Sequence, residues 1–194
     1  MRTVIAVLAL LAAASAHAAE EKRWHRLEDC RYVAAEGNDG DNFQVQCGRQ
    51  KFHVRLYFVD APETDATFPE RVRQQYEYFG VTLDELTRAG AKARDYVRAT
   101  LSPRVFVVHT RYSFAQGRSK NPRYYGLVEF EGRYLHQVLL AEGLARNKGA
   151  RIALAGQNAR QHANVLQSLE DRARLERRGV WANHSAARRV LTPR

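Results

Sequence analysis

Between Asp29 and Val59 the chain carries three short segments rich in β-branched and aromatic residues, Asp29 to Glu36, Asp41 to Cys47 and Lys51 to Val59, parted only by GNDG and GRQ. Links that short and that rich in turn-forming residues make consecutive segments pair antiparallel, as a three-stranded meander. At Thr82 the pattern changes period. Thr82-Leu83-Asp84-Glu85 reads as a capping box, and Leu83, Leu86, Ala89, Ala93 and Val97 continue one helical stripe to about Leu101, ahead of Pro103. Arg104 to Tyr112 and Arg123 to Glu131 read as two further strands, divided by the polar loop SFAQGRSKNP. Helices are expected near Leu135 to Ala145 and Ala159 to Arg178, the second with Val165, Leu166, Leu169 and Ala173 on one face and Gly179 as its stop. Three strands, a helix and two strands follow in the order of the OB-fold. The expectation is therefore a mainly β, α+β architecture: a five-stranded barrel with three helices, a fold whose usual clients are oligonucleotides and oligosaccharides.

The N-terminus bears on where the chain works. Met1 and Arg2 precede TVIAVLALLAAA, an apolar run too short to span a bilayer, and Ala16-His17-Ala18 has the small-residue pattern of a cleavage site. The expected division is a signal peptide over residues 1–18, an N-terminal arm over 19–28, one domain over 29–182 and a basic tail over 183–194. The mature protein is expected to be a soluble monomer, periplasmic or secreted, with no membrane partner once the leader is removed. The formal net charge is +10 at pH 7, and the leader's single charge, Arg2, leaves +9 on the mature part. An exported domain this basic points to a polyanion: nucleic acid, an anionic glycan or a membrane surface. Cys30 and Cys47 are the only cysteines, and in an oxidising compartment they are expected to form a disulfide. A turn centred between Asn38 and Asp39 sets them directly opposite one another on neighbouring strands, as a bridge requires. The seven histidines lack the paired spacing of a zinc site.

The chemistry gathers around VRLYFVDAPET, residues 54–64. An unpaired charge buried in an apolar strand costs several kcal/mol, so Arg55 needs a partner. Two carboxylates, Asp60 and Glu63, flank a proline at the strand's end. In a meander, Asp41 at the start of the second strand and Asp60 at the end of the third arrive at the same rim of the barrel. Carboxylates from two strands, with a main-chain carbonyl just past Asp60, make an open, weak site for calcium or magnesium. Taken singly, Asp39-Gly40 reads as a hairpin turn, Glu63 as a loop charge and Arg55 as a solvated strand face.

NDGDNFQV, VRLYFVDAPET, AKARDYVRATL, GLVEFEGRYLHQVLLAEGLAR and LEDRARLERRGVW stand here in the order found in the staphylococcal-nuclease-like (thermonuclease) family, and the chain resembles that family over most of its mature length. The resemblance implies an OB barrel with three helices and a calcium-dependent phosphodiesterase that cuts DNA and RNA with little sequence preference, leaving 3′-phosphates. It implies that Asp41 and Asp60 are the Ca2+ carboxylates and that the main-chain oxygen of Ala61 is a further ligand. Glu63 falls on the general-base position and Arg55 on the phosphate-binding arginine. One position departs. In PRYYGLVEF, Tyr125 stands where the family has a second catalytic arginine. Arg118, Lys120 and Arg123 are nearby cations, and Arg123, two residues upstream in the expected strand, lies on the same face as Tyr125 and is the candidate replacement. The alternative is a catalytically weak, secreted OB module that binds nucleic acid. A glycan-binding envelope module has only fold and charge behind it. The stretch DATFPERVRQQYEYFGV after Glu63 reads as an insertion, either a flap that shapes substrate binding or an adapted loop.

Overall fold

The computed structural model describes residues 23–116, 122–154 and 158–183. The proposed leader, most of the basic tail, and Arg118 and Lys120 lie outside the described residues. Strands β1 (His25–Val33), β2 (Asn42–Cys47) and β3 (Gln50–Leu56) form the meander, and β4 (Phe106–Phe114) and β5 (Arg123–Phe130) follow α2 (Leu83–Leu101). The sheet runs β3-β2-β1-β4-β5 and closes by a parallel pairing of β3 with β5, which leaves no edge between them. This is the expected OB-type barrel, with a two-residue strand β6 (Arg133–Tyr134) added beside β5.

The β1–β2 register places Cys30 opposite Cys47, and the two form a disulfide. Alternation along the strands explains the barrel's interior. Phe43, Val45, Val54, Leu56, Val108 and Val128 point inward and are buried, while Leu127, next to Val128, is buried on the opposite face of β5. Burying an aliphatic or aromatic side chain of this kind stabilises the fold by about 1.5–3 kcal/mol. β1 begins four residues earlier than expected, at His25, so part of the expected N-terminal arm joins the sheet. β3 stops at Leu56, short of the expected Val59, because the chain turns sharply there. Phe58 takes a left-handed φ of 71°, its N–H donates to the Ala150 carbonyl, and Asp60 forms an isolated bridge with Arg146.

Among the described residues four α-helices stand where three were expected. The added one, α1 (Pro69–Phe79), lies within the insertion after Glu63. Pro69 occupies its first turn, where a missing N–H costs nothing, and Gly80 ends it in the left-handed region with its N–H on the Tyr76 carbonyl. Its inward face is only Val72, Gln75 and Phe79, one of them polar, so the apolar period was too thin to announce a helix. The capping box is present at α2, Thr82 accepting from the Glu85 N–H and the Glu85 carboxylate accepting from the Thr82 N–H. α3 (Leu135–Ala141) and α4 (Ala159–Leu175) are each shorter than expected. α4 ends through Arg177 at φ 54°, with Arg178 N–H donating to the Ala173 carbonyl, two residues before the glycine that was expected to stop it.

Candidate nucleic-acid-cleaving site

Asp41 immediately precedes β2, and its carbonyl accepts the Leu56 N–H at the end of β3, so the loops at both strand ends share one rim. Arg55 lies opposite Asn42 on one side and Tyr125 on the other, on the outward-facing half of β3. There its fork is clamped: Nη1 lies 2.7 Å from Asp41 Oδ1 and Nη2 3.1 Å from Asp60 Oδ1. The second Asp41 oxygen accepts the Ala61 N–H at 2.8 Å. Arg55, Asp41, Asp60, Ala61 and Glu63 are thus brought together. The charge that looked out of place in an apolar strand has two buried partners.

Arg123 stands apart from that knot. It faces His53 across the β3–β5 pairing and its Nη2 donates to the Gln116 carbonyl at 3.1 Å, while burial and the nearby Arg55 charge lower its pKa. Tyr125 is stacked on Tyr57, ring centroids 4.9 Å apart.

Three site residues were not found from the sequence. Arg71 and Gln75 come from α1, four residues apart and therefore on one face. Arg71 Nε pairs with Glu63 Oε1, and its Nη2 lies 2.5 Å from Asp60 Oδ1. Gln75 is fully buried; its Nε2 donates to the Ala61 carbonyl and to Asp60 Oδ2, and its Oε1 accepts the Glu63 N–H. Arg146 grips Asp60 twice, by reciprocal main-chain hydrogen bonds and by Nε and Nη2 at 2.8 and 2.7 Å from Oδ2. Its one sequence signal was a lone arginine ending the apolar run LLAEGLAR. The helix α1 gave none beyond Pro69 and Gly80.

Close approach of α2 completes the rim. A Cβ on Gly90 would meet the Pro62 carbonyl at 2.6 Å and the Glu63 carbonyl closer still, and one on Gly40 would meet the Ala61 and Ala93 side chains at 2.8 Å. Only glycine lets the helix lie against the loop that carries Glu63.

The electrostatics separate three of the acids. Burial acts to raise the Asp60 pKa, and Arg71, Arg146, Arg55 and the Gln75 hydrogen bond outweigh it, so Asp60 is held below its ordinary value. Burial raises Glu63, with the Asp41 and Asp60 charges adding to it against the opposing pull of Arg71. Asp39, whose Oδ1 accepts the Asp41 and Asn42 N–H groups, is pushed well up by burial and by the Asp41 charge. For Arg55 the carboxylates of Asp41, Asp39, Asp60 and Glu63 outweigh burial and hold it firmly charged.

Among the described residues no three His, Cys, Asp or Glu side chains converge as a ready-made metal cage. The donor chemistry nonetheless suits a hard cation: Asp41, Asp60 and the Ala61 carbonyl offer only oxygen. One local sign agrees with it: Asn42, opposite Arg55, buries an Oδ1 that accepts no hydrogen bond among the described residues.

Fold and rim together define a class: a closed OB-type barrel with an acid-and-arginine cluster where β2 begins and β3 ends. The chain belongs to the family of staphylococcal nuclease homologues, whose family model matches residues 53–183. A comparison with curated proteins gives no match. The family is one of nuclease-type hydrolases, generally calcium-dependent, acting on nucleic acid. The match begins at His53, so Asp41 owes its place in the site to the fold, through the β2–β3 pairing.

Proposed function

We propose that the chain is an exported, calcium-dependent phosphodiesterase that cleaves DNA or RNA with low sequence specificity. The observation that carries this reading is Arg55 clamped between Asp41 and Asp60, with Glu63 tied to Asp60 through Arg71. A phosphodiester repels an attacking hydroxide, and its displacement gathers more charge on the equatorial oxygens, so fixed cations must be in place beforehand. Arg55 supplies a permanently charged planar fork. Glu63, its pKa raised by burial, accepts the proton of the attacking water, a role for which a carboxylate of raised pKa is better matched than an ordinary one. Asp41, Asp60 and the Ala61 carbonyl are the residues to hold calcium. When bound, the ion adds positive charge beside the phosphate. Arg123, its Nη2 on the Gln116 carbonyl, adds positive charge beside the site without entering the Asp41–Asp60 knot.

Digestion of plasmid, single-stranded DNA and RNA with calcium or with a chelator tests this: all three are expected to be degraded with calcium and spared by chelation. Intact substrates in calcium would overturn it. A second reading, a binding module of weak or no activity, is favoured by the stacking of Tyr125 on Tyr57 and by the engagement of Arg123 with Gln116. It predicts retarded but uncut nucleic acid in the same samples.

A further inference from the structure

We infer that Arg71, supplied by the inserted helix α1, is the second phosphate-contacting arginine of this site; the inference deepens the nuclease reading and rests on it. A displacement at phosphorus spreads charge over several oxygens, and one fork cannot reach all of them. Arg55 already spends both Nη groups on Asp41 and Asp60, and only 13% of its side chain is exposed. Arg146 is 4% exposed and committed to Asp60 and the Gln74 carbonyl. Arg123, whose Nη2 donates to the Gln116 carbonyl, bonds none of the rim carboxylates among the described residues. Arg71 both bonds the rim carboxylates and stays open to solvent. Its side chain is 39% exposed, its Nε and Nη2 hold Glu63 and Asp60, and its Nη1 has no hydrogen-bond partner among the described residues.

The placement suits a phosphate. Arg55 Nη2 and Arg71 Nη2 converge on the same Asp60 oxygen, at 3.1 and 2.5 Å, so the two forks flank one point of the rim, with Glu63 beside it. A phosphodiester lying there meets the open edge of Arg71 on one side and the base on the other. Nor is Arg71 carried on a loose flap. Val72 and Phe79 anchor α1 beneath it, and Gln75, one turn further on, bonds Asp60, Ala61 and Glu63, so helix and site loop are set as one unit. The contact to Glu63 also orients the base in the free protein.

The test combines single-turnover cleavage of a DNA oligonucleotide with labelling of the unaltered protein by an arginine-directed dicarbonyl, read peptide by peptide by mass. Arg71→Ala is expected to lose 100-fold or more in rate, with a much smaller loss in oligonucleotide affinity. Arg71→Lys is not expected to restore it, because a point charge lacks the fork, whereas added guanidinium ion is expected to restore part of the alanine variant's rate. Arg73→Ala, at an exposed neighbour paired with Glu70, is the control and should cleave normally. In the wild-type protein, bound oligonucleotide should protect Arg71 from labelling. A near-native rate in Arg71→Ala, above all beside a large loss in Arg123→Ala, would overturn the assignment. If the wild-type protein cleaves no substrate, the nuclease reading fails by itself. The labelling then decides the contact: protection sustains Arg71 as a phosphate ligand and unchanged labelling removes it.

Discussion

At the scale of single residues, Asp60 organises the rim. Its two oxygens take donors from Arg55, Arg71, Arg146 and Gln75, so it is a junction between β3, α1 and the segment after α3. Arg146 depends on it most, since both side chains are buried and no other carboxylate pairs with that guanidinium among the described residues. Breaking a buried pair from one side leaves an uncompensated charge, so Asp60→Asn, which strands the buried Arg146 guanidinium, should lower unfolding free energy by about 3 kcal/mol or more, measured by denaturant titration. A loss of less than about 1 kcal/mol would mean the pair is not structural. Glu63 makes the complementary case, a carboxylate whose loss should be felt in chemistry. Glu63→Gln keeps the shape and one acceptor for Arg71 but cannot take a proton. Its rate should fall roughly 100-fold to 10,000-fold with the melting temperature nearly unchanged. Native turnover in that variant would remove Glu63 from the mechanism.

At the scale of elements, α2 acts on the site without sending it a charged side chain. Gly90 lets the helix touch the Pro62 and Glu63 carbonyls, where a methyl group has no room and only main chain stands to give way. Gly90→Ala should therefore displace the Glu63 loop. The expected result is a loss of about 1–3 kcal/mol in stability and a fall in cleavage rate with it; a variant with native values for both would show that the loop yields freely. The β1–β2 hairpin supplies a second case. Its disulfide closes a short loop, with Cys30 and Cys47 separated by 17 positions. Replacing both cysteines with serine should cost about 3 kcal/mol in the chain-entropy account. Unfolding curves of the double variant, compared with the oxidised and reduced native protein, measure it.

Across the whole molecule, stability should fall in acid partly because of a group remote from the rim. His136 is fully buried among the rings of Phe58, Tyr134 and His162, and neither ring nitrogen has a hydrogen-bond partner among the described residues. Burial, with His162 adding to it, lowers its pKa to about 3. Below about pH 6.5 the unfolded chain takes up a proton at this position that the native state refuses, so stability that is full above pH 6.5 is lost as the pH falls toward 3. The slope from this one residue approaches 1.4 kcal/mol per pH unit. His136→Leu should flatten the dependence of melting temperature on pH between 6.5 and 4, and parallel profiles for variant and wild type would refute the role.

Patterns local in sequence were legible from the chain alone. The turns GNDG and GRQ fixed the meander and, through its register, the Cys30–Cys47 bridge; the Thr82–Glu85 box fixed the start of α2; and the order of elements fixed the barrel. Short-range hydrogen bonding and side-chain periodicity determine such features, and both are written in neighbouring residues. The gathering of Arg55, Asp41, Asp60 and Glu63 was legible for the same reason, because strands joined by tight turns must bring their ends to one rim. Arg71 and Gln75 were not legible, since α1 buries only Val72, Gln75 and Phe79 and shows almost no apolar stripe. Nor was Arg146, which reaches Asp60 from 86 positions away. Contacts of that kind depend on how separate elements pack. The sequence determined that a rim of carboxylates and one arginine would form, while only the tertiary structure decided which further cations stand around it.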